Sequence, residues 1–267
     1  NINGIPINSG QIEFKKKNEI NLKINFLTNL SMNEKQIDKA FINFKNEFLN
    51  NTIKVETKLN HNLKIIFDKN FKMKDYEYEI TGEIENANVK FIKPLKHSIL
   101  VNDISKISIK DTKINFNQKL NKHKTISLEG KNSINENSFE KYVTKFEEKN
   151  KKKLINLDLN FSEALQIPII NYKKDNKEVS NIKTKIVIDN NIFNVDEFSF
   201  KENKNIISIK KLKLKKNLSF NTLQKIDIKT SNLKNEINNE FSVKIGKKIE
   251  IKGKKYDATN LVKLLKK

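Results

Sequence analysis

The chain has 267 residues, with 53 basic and 32 acidic side chains and a formal net charge of +21. Every basic residue is Lys, and the absence of Cys excludes a disulfide framework and a thiolate metal centre. No apolar run approaches the ~20 residues of a membrane-spanning helix. The 36% of hydrophobic residues are largely Ile, Leu and Phe at strand spacing, which disordered chains lack.

From Asn1 to Phe26 the sequence predicts two or three strands, with Gly4 and Gly10 as turn signals. Ile20, Leu22, Ile24 and Phe26 alternate with polar residues, and a period of two puts every second side chain on one face of a sheet. Ser31 to Leu49 breaks this period. Ser31 and Glu34 form a capping-box pattern, and Ile37, Phe41, Phe44 and Phe48 recur at helical spacing, predicting a helix with one apolar stripe.

Alternation resumes at Ile53 and Val55 and continues through Leu63, Ile65 and Phe67, then Tyr76, Tyr78 and Ile80 up to Gly82. Val89 and Phe91 precede Pro94, which marks an edge or a strand end. Further pairs follow at Ile107 and Ile109, Ile114 and Phe116, and Ile126 and Leu128. Phe139, Tyr142, Val143 and Phe146 are spaced as on a helix, so a second helix is expected over 138–149. The charged run Lys149 to Lys153 ends it and suggests a subdivision into residues 1–137 and 154–267 of one continuous β-segment.

The second half reads as strand throughout. Ile155, Leu157, Leu159 and Phe161 form the clearest run, followed by Ile182, Thr184, Ile186 and Ile188. After Ile207 and Ile209 the phase changes before Leu212 and Leu214, which predicts a β-bulge near Lys210 and Lys211. Phe241, Val243 and Ile245 lead to Ile249 and Ile251. Gly253 closes the last strand, and Asp257 is placed to cap a short helix reaching Leu265. Many short strands with polar breaks predict an all-β antiparallel meander with a few short helices.

Catalytic and metal chemistry have no visible basis in these residues. His61, His97 and His123 have no partner at metal-ligand spacing, and each reads as an ordinary polar residue. There is no nucleophile elbow, P-loop or dinucleotide fingerprint. No pair of carboxylates stands out for acid–base work. The chain is therefore expected to be no enzyme and to need no cofactor.

The abundance of Lys, Asn and Ile is what A/T-rich coding produces. The other reading of the charge is attraction to an anionic surface. Nucleic acid is not expected as a partner: there is no Arg to pair bidentately with phosphate or guanine, and the Lys are dispersed.

The last hundred residues resemble the bacterial AsmA-like proteins, specifically the YhdP branch of the YhdP/TamB/AsmA group. The stretch 154–161 leads into "EALQIPIINYKKDNKEVSNIKTKIVID", then "FNVDEFSFKENKNIISIKKLKL" and "VKIGKKIEIKGKKYDATNLVKLL". The closing "IKGKKYDATNLVKLL" is similar to the family's strand-Gly-x-x-aromatic-Asp-Ala-x-x-Leu-Leu element. Here that element is Gly253, Tyr256, Asp257, Ala258, Leu261 and Leu264 or Leu265. Residues 1–150 fit the family more loosely.

The resemblance implies a long, curved, taco-like groove, part of a protein anchored at the inner membrane by segments outside this chain and extending through the periplasm. It implies phospholipid acyl chains as partners, moved towards the outer membrane. The groove lining would be Ile20, Leu22 and Ile24; Ile155, Leu157, Leu159 and Phe161; Ile186 and Ile188; and Phe241, Val243, Ile245, Ile249 and Ile251. The alternation by itself predicts equally well a structural scaffold whose apolar faces close on each other as a sandwich.

Overall fold

The computed structural model describes residues 6–33, 52–120, 123–190, 192–216, 219–232 and 234–260. They form almost nothing but strand: a single antiparallel sheet of fifteen strands, not closed into a barrel, and a separate two-stranded hairpin. The expected all-β antiparallel meander is what the chain adopts. By packing, the chain divides into two compact units, Asn1–Pro94 with Ser105–Lys151 and Leu95–Ile104 with Lys152–Lys267.

The first unit contains β1 (Ser9–Lys16), β2 (Ile20–Asn33), β3 (Thr52–Phe67), β4 (Met73–Leu95), β5 (Ile104–Lys119), β6 (Lys124–Ile134) and β7 (Glu140–Lys149), hydrogen-bonded in chain order. Alternation sorts its faces. Phe14, Leu22, Ile65 and Tyr76 are direct cross-strand neighbours, as are Ile12, Ile24, Leu63 and Tyr78. Phe116, Ile126 and Phe146 continue the apolar face on β5, β6 and β7.

Bulges keep that face continuous where the sequence changes phase. In β5 the inward residues step from Ile109 to Thr112, and Asp111 takes up the extra position with φ 48. A bulge inserts one residue and bends its strand. Gly130 lies opposite this bend: a Cβ there would fall 2.1 Å from Thr112 Oγ1.

The second unit contains β8 (Lys152–Phe161), β9 (Leu165–Ile167), a 3₁₀ turn at Pro168–Ile170, β10 (Tyr172–Lys174), β11 (Ser180–Asp189), β12 (Ile192–Glu202), β13 (Asn205–Leu214), β14 (Phe220–Thr222), β15 (Lys225–Ser231), β16 (Ile237–Ile245) and β17 (Ile249–Lys255). Its sheet runs β8, β11, β12, β13, β15, β16, β17, with β14 on β13, while β9 and β10 form the separate hairpin. The expected bulge is present. Lys211 has φ 55, and both β12 and β13 carry an extra residue there, Asp196 opposite Lys211, joined by a 2.9 Å ion pair.

Several expectations need correction. Residues 138–149 are not a helix: Glu140–Lys149 is strand β7. The helical spacing was a coincidence of composition, because Val143 is 48% exposed while Tyr142, Thr144 and Phe146 point the other way. Gly10, Gly82 and Gly130 lie within strands, and Gly253 sits two residues before the end of β17. Ser31 is not a helix cap but pairs with Glu56 on β3. The rest of the helix expected to Leu49, and the one beyond Asn260, lie outside the described residues. The run at Lys149–Lys153 contains a two-residue turn with positive φ at Asn150 and Lys151.

Candidate functional site

In the second unit the apolar face is built from three cross-strand rows. One is Ile155, Ile186, Val195 and Leu212. The next crosses seven strands: Leu157, Thr184, Phe198, Ile209, Ile226, Val243 and Ile251. The third is Leu159, Ile182, Phe200, Ile207, Ile228, Phe241 and Gly253. Gly253 is required in its row, since a Cβ there would meet Phe241 Cβ at 2.3 Å. At roughly 4.8 Å per strand, the seven-strand row runs on the order of 30 Å along the sheet.

Most of this face is uncovered. Leu157, Leu159, Ile186, Ile209 and Val243 are only half-buried, and Ile249 and Ile251 are each 69% exposed. An inner face of a closed sandwich would be buried throughout. Among the described residues, neither unit has a second sheet packed over the apolar face of the large one, apart from the small β9–β10 hairpin in the second unit.

That hairpin closes one end. Beyond Phe161 and Phe200 the inward positions turn polar: Ser180, Glu202, Asn205, Thr230 and Asn239. The segment from Leu165 to Lys174 packs over them, burying Ile170 and Tyr172 to 3% and 1% exposure. The Tyr172 ring stands edge-on to Phe200 at 5.9 Å, and its hydroxyl donates to Glu202 Oε2 at 3.0 Å. Burial, reinforced by the Glu202 charge, pushes the Tyr172 phenol well above its ordinary value. Asn203 and Asn205 also donate to Glu202.

Lys174, itself buried, donates to the carbonyls of Glu163 (2.8 Å) and Asp175 (2.9 Å), and desolvation lowers its pKa. Asn239 donates to the Ile170 carbonyl (2.7 Å) and to Thr230 Oγ1 (2.9 Å). The stretch Ile99–Val101 of the same unit joins the cap: Gln166 N–H donates to Ile99 O and Val101 N–H to Ala164 O.

The closing element reinforces the same end. Tyr256 packs edge-on against Phe241 (5.4 Å) and donates to the Ile169 carbonyl. Asp257 accepts from Thr259, Asn171 and Asn238, and these hydrogen bonds hold its carboxyl well below the usual carboxylate range. Its bond from the Thr259 N–H is of helix-cap type, while the residues expected to form the helix lie mostly outside the described ones. Ala258 is exposed in the following turn. Leu261, Leu264 and Leu265 are outside the described residues.

In the first unit, Leu22 and Ile24 lie half-buried on the apolar face beside the exposed Ile12 and Phe14, while Ile20 is buried at 1% exposure. Phe161, likewise expected on an open lining, is buried at 6% beneath the cap. Ile155, Leu157, Leu159, Ile186 and Ile188 share one face of β8 and β11, and Phe241, Val243, Ile245, Ile249 and Ile251 share it on β16 and β17.

A polar cluster in the first unit's apolar face was not foreseen. His61 sits between Thr28 and Tyr78, with Nε2 3.0 Å from Thr28 Oγ1 and Nδ1 2.7 Å from Tyr78 Oη. Its ring stacks on Phe26 at 4.3 Å and 3°. Desolvation lowers its pKa. The signal was available: His61 holds an inward position between Leu59 and Leu63. Among the described residues no three His, Asp or Glu side chains are grouped to hold a metal ion.

Compared with known proteins, the chain matches no family model, no curated protein and no solved structure.

Proposed function

We propose that this chain is a non-catalytic segment whose apolar face shields or conducts phospholipid acyl chains, in the manner of the AsmA-like, YhdP-branch proteins that its ending resembles. On this reading it works in the periplasm, as part of a protein anchored at the inner membrane, and passes lipid towards the outer membrane. The observation that carries the reading is the seven-strand row from Leu157 to Ile251, apolar at every position but Thr184 and left partly exposed.

Uncovered apolar surface of this extent is an aggregation liability unless something apolar occupies it. Transfer of acyl chain onto such a face is worth about 0.8 kcal/mol per CH₂, so ~15 carbons gain on the order of 10 kcal/mol. Aliphatic side chains grip each carbon equally weakly, so a chain can slide without being trapped. The cap at Tyr172 lies alongside the row, at one end of the strands, and so bounds the path on that side while leaving passage along the row open.

The test is lipid retention. Delipidated protein incubated with phospholipid vesicles and repurified should retain phospholipid, detected by extraction and mass spectrometry. The Ile186→Glu and Ile209→Glu variants should retain far less while staying folded. Undiminished lipid in both variants would overturn the reading.

A further inference from the structure

The opposite, polar face of the second unit's strands carries its own row: Lys185, Glu197, Lys210, Lys225, Lys244 and Glu250. Three lysines stand side by side in it. Lys210 is directly opposite Lys225, and Lys225 is directly opposite Lys244. Like charges in that relation are destabilising, because the β-carbons are only about 5 Å apart. Glu197 stands opposite Lys210 and Glu250 opposite Lys244, but neither closes an ion pair with these three lysines among the described residues. Asp227 pairs with Lys225 at 2.7 Å, and Glu250 pairs with Lys252 at 3.6 Å. Lys210 and Lys244 make no ion pair among the described residues.

The three lysines line a cleft of about 690 Å³ together with Gln224, Lys247, Lys248 and Glu250. The turn through Gly246 closes on itself, Gly246 N–H donating to Lys248 O at 3.1 Å, and brings Lys247 and Lys248 to the cleft wall. Of the five lysines in this concavity, Lys225 is paired with Asp227, and the other four make no ion pair among the described residues, with Glu250 the one carboxylate in the lining.

We propose that this cleft binds a phosphate group, with Lys210, Lys225 and Lys244 as its floor and Lys247 and Lys248 as its rim. Lysine ammonium groups bind phosphate as point charges, without the fork geometry of arginine. An anion placed over the row turns three mutually repelling charges into ligands of one centre. The phosphate comes either from an anionic lipid headgroup or from a soluble phosphate compound. The site is on the other side of the sheet from the apolar face, so it stands or falls separately from the acyl-chain reading.

Two probes distinguish the sources: pyrophosphate by titration calorimetry, and phosphatidylcholine vesicles with or without phosphatidylglycerol by co-sedimentation. Each is applied to the wild type, to a cleft triple variant (Lys210→Gln, Lys225→Gln, Lys244→Gln) and to a charge-matched control (Lys173→Gln, Lys201→Gln, Lys204→Gln). The cleft triple should lose affinity about tenfold or more, and the control no more than about twofold. Pyrophosphate should raise the wild-type melting temperature but not that of the cleft triple.

Without ligand the cleft triple should fold, the repulsion it relieves offsetting the loss of the Lys225–Asp227 pair. Should it not fold, Lys244→Gln alone is carried through the same titrations and should weaken binding. Cleft-dependent binding of pyrophosphate assigns a soluble ligand, and cleft-dependent binding of phosphatidylglycerol vesicles assigns a headgroup. Equal losses in the two triples, or no binding of either probe by the wild type, would overturn the proposal.

Discussion

Tyr172 and Glu202 meet through a 3.0 Å hydrogen bond in a place where both side chains are buried, and this contact fastens the β9–β10 hairpin to the end of the apolar face. A buried carboxylate that loses a donor carries an uncompensated desolvation cost. Tyr172→Phe should therefore destabilise the protein by about 1–3 kcal/mol in denaturant unfolding. Ser180 is the contrast within the same cap: its buried hydroxyl has no hydrogen-bond partner among the described residues. Ser180→Ala should change stability by less than about 0.5 kcal/mol.

The raised Tyr172 pKa has a pH signature. Above the ordinary tyrosine value of 10.0 the unfolded chain releases the phenolic proton while the folded chain keeps it. Stability is thus fully present below pH 10.0 and falls as pH rises beyond it. Burial raises Tyr78 and Tyr142 in the same direction. A phenolate absorbance titration should show a late-ionising class of tyrosines, reduced in Tyr172→Phe.

His61 gives the opposite dependence. Its folded pKa lies below the ordinary histidine value of 6.5, so as pH falls through 6.5 the unfolded chain gains a proton that the folded chain resists. The stabilisation is complete above 6.5 and is lost on acidification. Melting temperatures measured down to acidic pH should fall less steeply in His61→Gln than in the wild type. The His61 ring protons should titrate below the ordinary histidine range in NMR.

Gly130 tests the β5 bend. An added methyl group would collide with Thr112, which also accepts the Tyr142 hydroxyl at 3.2 Å. Gly130→Ala should cost about 1–3 kcal/mol in thermal or chemical unfolding. Gly246→Ala, where the nearest atom lies 4.0 Å from the new methyl, should stay within about 0.5 kcal/mol of wild type.

The strands were legible because alternation is a local signal. Leu157, Leu159 and Phe161 share a face whatever lies elsewhere in the chain, and the phase change between Ile209 and Leu212 marks its bulge directly. The region 138–149 misled because Val143, an outward apolar residue, completes a helical spacing by chance. The cap was not legible at all. "EALQIPIINYKK" has no period, and its role depends on contacts made far along the chain, from Tyr172 to Glu202 and from Ile170 to Asn239. The lysine cleft was hidden for a related reason: Lys is everywhere in the sequence, and only strand register sets Lys210, Lys225 and Lys244 side by side.

The most direct test of the acyl-chain reading places a photo-crosslinking amino acid, in cells, at Leu157, Ile186 or Val243 on the apolar face, and at Asp158, Lys183 or Lys252 on the polar face. The account predicts phospholipid adducts from the first three positions and none from the second three. Adducts to protein alone at Leu157, Ile186 and Val243, or equal lipid capture from both faces, would contradict it.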